Sequence, residues 1–127
     1  MIEATALPTP WQVRYRAGGH EGVADTRKAG LGGAAGPRPH DLLEAALATC
    51  MTMTARMALA VALPDADGDV GEVSVRVSLD RSGPEARFRY ELVLDPALER
   101  HRPLLAEYIA NCPVRRTLSG PLAFDPA

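Results

Sequence analysis

Aromatic residues are scarce in this chain: one Trp, three Tyr and two Phe in 127 residues. No set of rings that would stack nucleobases can be picked out from so few. The formal net charge of −2 supplies no positive field for nucleic acid or an anionic membrane. Histidine is also sparse, present only as His20, His40 and His101. With two cysteines and neither C-x-x-C nor H-x-x-x-H spacing, no metal site is expected. The absence of a G-x-S-x-G elbow leaves hydrolase chemistry without local support. The first residues, Met1-Ile2-Glu3-Ala4-Thr5-Ala6-Leu7-Pro8, have neither the basic segment nor the apolar run of a signal peptide. The expectation is a cytoplasmic protein whose thiols stay reduced.

What is present is ordinary globular composition, 46% hydrophobic and 24% charged. Its length predicts one domain, residues 1–127, with a core of its own. The chain is dominated by residues 41–60, where Leu, Ala, Met and Glu run for twenty positions without Gly or Pro. That predicts a helix. Apolar residues fill nearly every angular position, leaving a narrow polar stripe at Glu44, Thr52 and Arg56. The expectation is therefore a helix buried nearly all round. Twenty such residues have the length of a membrane span, but Asp41, Glu44 and Arg56 would be costly in lipid. Pro39 suits the first turn of this helix, and Asp41 suits its dipole.

Elsewhere the pattern is mixed. Residues 1–10 read as irregular, then Trp11, Val13 and Tyr15 alternate with polar neighbours as a half-buried strand. Gly18-Gly19 predicts a turn, and residues 20–28 a weaker strand. Residues 30–37 read as a flexible glycine-rich loop. It superficially matches G-x-G-x-x-A but lacks the preceding strand and following helix of a dinucleotide site. The acidic loop at residues 65–69 fails as a calcium loop, because Val70 and Arg76 stand where Gly and Glu are needed. Residues 73–80 and 87–94 alternate as an antiparallel pair. A second helix is predicted over residues 96–111, with Leu105, Tyr108 and Ile109 on its apolar face and continuous helix beginning at Pro103. Cys112-Pro113 predicts a cysteine cap on a short final helix, and Leu122 and Phe124 a last short strand.

The candidate chemistry is that of the two cysteines. A thiol is a nucleophile only as thiolate, and burial alone opposes ionisation, so Cys50 needs a nearby cation or donor. Cys112, beside Arg115 and Arg116 at a helix start, is expected to have the more favourable field. If the sulfurs meet, a sulfenic acid on one can be captured by the other. Composition and spacing alone favour the plainer reading, that both are small buried hydrophobes.

Two motifs carry a family resemblance. Gly36-Pro37-Arg38-Pro39-His40-Asp41-Leu42-Leu43-Glu44-Ala45-Ala46-Leu47-Ala48-Thr49-Cys50 resembles G-P-x-P-x-E-L-L-x-A-A-L-x-x-C, and Cys112-Pro113-Val114-Arg115-Arg116-Thr117-Leu118 resembles C-P-V-H-R-T-L. Together they resemble the OsmC/Ohr family of osmotically induced and organic-hydroperoxide-resistance proteins. The resemblance implies an α+β fold, with antiparallel sheets packed on a long central cysteine-bearing helix in an intertwined homodimer. It also implies a thiol-dependent peroxidase reducing organic hydroperoxides or peroxide. Cys50 is then the peroxidatic cysteine and Cys112 the resolving one, with an external thiol or lipoyl-type reductant and no cofactor or metal. The hydroperoxide-resistance branch carries an arginine where this chain has His20, and a glutamate where it has His40; Asp41 stands one methylene short of a family glutamate. His20, His40 and Asp41 are accordingly the candidates for activating or orienting the thiolate. Gly18-Gly19-His20 with Asp25 resembles the OsmC-like branch. Two other readings are a non-enzymatic dimer binding an apolar small molecule, with Met51, Met53 and Met57 as lining, and a redox-sensing thiol protein. None of these readings calls for nucleic acid or membrane.

Overall fold

The computed structural model describes residues 1–66 and 71–127. The chain forms two compact units, Met1–Leu43 and Glu44–Ala127. The acidic loop set aside as a calcium site falls largely outside the described residues.

The first unit opens with a three-stranded antiparallel meander: β1 (Ile2–Ala6), β2 (Val13–Ala17) and β3 (His20–Ala24), in that order. Strand β2 sits centrally, with Ile2 opposite Ala17 on one side and Ala17 opposite His20 on the other. Its residues alternate between half-buried and exposed as the period of two requires. The start of the chain is thus a strand rather than irregular. All five residues of β1 are exposed, so it is held by backbone hydrogen bonds to β2; its alternation, Ile-Glu-Ala-Thr-Ala, is short and built mostly on alanine, a poor strand former. Residues 20–28 break after Ala24, and a two-residue ladder forms between β4 (Arg27–Lys28) and β5 (Leu31–Gly32).

Asp25 explains the break. It is buried, and its carboxylate accepts hydrogen bonds from the backbone N–H groups of Thr26, Gly33 and Ala35 and from the Gln12 side chain. The glycine-rich stretch is therefore an ordered cradle around one carboxylate, not a free loop. Gly36 lies so close to the Val23 carbonyl that a Cβ there would collide with it. Gly32, at φ +85, is likewise packed against the Thr26 backbone.

Helix α1 (Pro39–Ala62) starts in the first unit and continues in the second, outrunning its expected bounds by two residues at each end. The Asp41 carboxylate accepts from the backbone N–H and the guanidinium of Arg38, satisfying a donor at the helix start. Held so, its pKa falls below the usual carboxylate value, chiefly through the Arg38 side chain.

In the second unit, β6 (Val73–Asp80) pairs antiparallel with β7 (Arg87–Leu94), from Val73 opposite Leu94 to Asp80 opposite Arg87. A 3-10 turn at Pro96–His101, capped by Asp95, leads to α2 (Arg102–Ile109), and α3 (Pro113–Ser119) follows. Pro103 sits in the first turn of α2, which is why regular helix begins only there. The core joins Leu47, Met51, Ala55, Ala58 and Leu59 of α1 to Val75, Leu92, Leu94, Leu105 and Ile109.

Three expectations change. Helix α1 buries one face, not its whole circumference: Leu43, Met53, Met57 and Val61 are exposed. A single pair of strands and two short helices cover one side of α1 and leave the other bare. By length and mean hydropathy α1 meets the requirement for a membrane span, yet Glu44 and Arg56 lie within it and its inner face is core. Tyr108 points outward, because Leu105 and Ile109 already fill the inner face of α2. Residues 121–127 form no strand, and Phe124 is 89% exposed, since no strand edge pairs with that segment.

Candidate active site

The two cysteines come together within the second unit. Cys50, in the middle of α1, is half-buried against the core, and Cys112 is fully buried in it. Pro113 at the first helical position forces the chain into α3 and leaves Cys112 as the cap residue in extended conformation. Its sulfur accepts the Arg115 backbone N–H at 3.4 Å. Both thiols are free, and Cys50 packs against the core cluster that contains Cys112.

The electrostatics of Cys112 reverse the expectation from its arginine neighbours. Burial pushes the thiol up, and this outweighs the opposing backbone hydrogen bonds from Arg115 and Val114; the Cys50 side chain raises it further. Arginine side chains at the rim do not replace the lost hydration of a sulfur at 0% exposure. Cys112 is therefore harder to ionise than a solvated thiol. A partly buried cysteine packed against the cluster that holds a fully buried one is an arrangement in which the first can meet a small molecule and the second can follow it.

The other three candidate residues belong to the first unit. His20 is exposed at the end of the β2–β3 hairpin, opposite Ala17. His40 is exposed in the first turn of α1, beside the Asp41 carboxylate that is engaged by Arg38. Among the described residues, no group of three or more His, Cys, Asp or Glu is placed to hold a metal.

A feature the sequence did not disclose lies next to the cysteines. Leu47 and Met51, on either side of Cys50 along α1, share a cavity of about 290 Å³ with Phe88, Tyr90 and Leu118. Arg115 also lines it. Leu47, Phe88 and Leu118 are 71 residues apart end to end in sequence, so no local pattern signals the cavity.

The architecture is a mixed α/β fold with antiparallel sheets, a long helix carrying Cys50, and Cys112 capping a short helix. The family model described as OsmC-like protein matches residues 32–126, and the chain belongs to that family. In three dimensions it is similar to the crystal structure of a protein from Psychrobacter arcticus 273-4 described as an osmotic stress induced and detoxification response protein. The TM-score is 0.69 at 18% identity, covering 91% of this chain and 85% of that one. No curated protein matches in sequence.

Proposed function

We propose that this chain is a thiol-dependent peroxidase acting on organic hydroperoxides or hydrogen peroxide, with Cys50 peroxidatic and Cys112 resolving. The observation that carries the reading is that half-buried Cys50 packs against the one core cluster in which Cys112 is buried. Family membership and the stress-and-detoxification description of the structural neighbour support the same role.

In the first step the Cys50 thiolate attacks one oxygen of the peroxide. An S–O bond forms, the O–O bond breaks, and the alcohol leaves after its oxygen takes a proton from water. Sulfur loses two electrons to become sulfenic acid, and the peroxide gains them. In the second step the Cys112 sulfur attacks that of Cys50. An S–S bond forms, and the sulfenic oxygen leaves as water carrying the Cys112 proton. An external thiol, of lipoyl-type dithiol chemistry by family resemblance, then supplies two electrons and two protons to restore the pair. Packing in one cluster keeps the second step intramolecular. Asp41 caps the start of the helix that carries Cys50. No metal or cofactor enters this scheme.

The functional unit is proposed to be an intertwined homodimer of single OsmC-like domains, residues 1–127, working in the reducing cytoplasm. Supporting this, the outer face of α1 is apolar and bare, and the first unit carries an open apolar hollow of about 780 Å³ around Leu7, Trp11 and Val13.

The test is a thiol count with activity. One equivalent of organic hydroperoxide should convert both thiols of the wild type to an intrachain disulfide. Cys112→Ser should leave a sulfenic acid that a dimedone probe traps, and Cys50→Ser should consume no peroxide. Retained consumption by Cys50→Ser would overturn the assignment. Disulfide formation without catalytic turnover in the presence of dithiol would point to redox sensing instead.

A further inference from the structure

We infer that the apolar hollow of the first unit is a small-molecule site, and that it takes a flat aromatic ligand carrying one negative charge. It is separate from the cysteine chemistry. Its lining comes from the β1–β2 loop and the β4–β5 turn, whereas His20 lies at the opposite end of β2 from Val13. The hollow, about 780 Å³, falls within the roughly 300–1,000 Å³ of small-molecule sites. Leu7, Pro10, Trp11 and Val13 supply apolar walls, Gln12 and Thr26 supply polar groups, and Lys28 is the one charged residue of the lining.

The walls are held in place at a conformational cost. Trp11 and Ala29 both line the hollow, and among the described residues they are the two other than glycine with positive φ, at 69° and 54°. A left-handed backbone is uncommon for a bulky side chain, and such conformations gather where a ligand is clamped or a segment switches. Ala29 fills the first position of the two-residue turn between β4 and β5, where Asn or Gly would sit with less strain. The Trp11 ring is fixed from two sides: its indole N–H donates to the Lys28 carbonyl at 3.2 Å, and a side chain at Gly32 would collide with it. Gln12 and Thr26 are both tied to the Asp25 carboxylate, one by its side-chain amide and the other by its backbone N–H. A surface that only waits to be covered has no use for walls fixed in advance, whereas a ligand site gains affinity from them. With its N–H committed to Lys28, Trp11 offers the apolar faces of its ring, which suit offset stacking of a second ring. The ammonium of the same lysine suits an anion at the edge of that ligand. A second copy of the chain packed over the hollow competes for the same walls, and the experiment separates the two.

2-Naphthoate and its uncharged analogue 2-naphthylmethanol are titrated calorimetrically into the full-length protein, wild type, Lys28→Gln and Trp11→Gly. Glycine keeps the left-handed backbone at position 11 without strain and removes only the ring. The single Trp also gives one indole N–H signal in a nitrogen–proton correlation spectrum. Naphthoate should bind the wild type and shift that signal. Lys28→Gln should weaken naphthoate about two- to fivefold and leave the alcohol within about twofold, and Trp11→Gly should weaken both about tenfold. Naphthoate that fails to bind the wild type, binds without moving the indole signal, or binds Lys28→Gln equally well overturns the inference. So does a hollow that takes neither ligand while Trp11→Gly halves the sedimenting mass, which assigns the surface to a second copy. If Trp11→Gly does not fold, the indole shift and Lys28→Gln decide alone. Peroxide turnover plays no part in these readouts, so the peroxidase reading stands or falls separately.

Discussion

Individual residues show how far composition misleads about environment. Cys112 stands beside two arginines in the sequence, yet burial leaves its thiol harder to ionise, not easier. That suits a resolving cysteine, which must wait for a sulfenic acid rather than meet peroxide itself. Asp25 is the opposite case. It is a buried carboxylate whose pKa is lowered, first by the Ala35 backbone N–H, against the cost of burial. A carboxylate depressed in the folded state contributes stability above its unfolded value, near pH 4, and that contribution is lost as pH falls through the folded value. Asp25→Asn should therefore unfold at lower urea than the wild type at pH 7, and the gap should close as pH drops below about 4. A gap that is constant with pH would mean the charge is irrelevant to the cradle. Nothing in the sequence marked Asp25 as structural, since its four donors come from residues 12, 26, 33 and 35.

At the scale of elements, helix α1 was legible almost to the residue because its signals are local: strong helix formers, Pro39 at the start and Pro64 past the end. Strands β6 and β7 were equally legible from alternation. Strand β1 was not, because its five-residue alternation rests on one isoleucine and two alanines and alanine is a weak strand former. The burial of α1 was also misjudged. An apolar circumference says only that any face would tolerate burial; which face is covered depends on what the rest of the chain supplies. The covered face predicts where truncation matters. Leu59→Ala, at a fully buried site, should cost about 2–5 kcal/mol in urea unfolding. A cost near that of an exposed position would mean this face is not core.

For the whole molecule, the unused apolar surface is the main fact. Met53 and Met57, 59% and 68% exposed, lie on the bare side of α1, close to Cys50 in sequence. If that side is the dimer contact, sedimentation should give twice the 13.5 kDa chain mass for the wild type. The double substitution Met53→Glu, Met57→Glu should then give the monomer, because burying carboxylates without partners is costly. A monomeric wild type would remove the dimer from the proposed function. The same surface explains why the chain alone leaves α1 half covered: two strands and two short helices are too little structure to wrap a helix of 24 residues.

The sequence by itself determined the long helix, the strand pair, the capping cysteine and, through two spaced motifs, the family. Each of these is written in neighbouring residues, as propensity, period or a fixed string. Only the tertiary structure decided that both cysteines pack in one cluster, that burial makes Cys112 harder to ionise, and that the glycine-rich stretch is ordered around Asp25. These depend on groups far apart in the chain and on how much water each retains after packing, quantities that no local pattern of residues encodes.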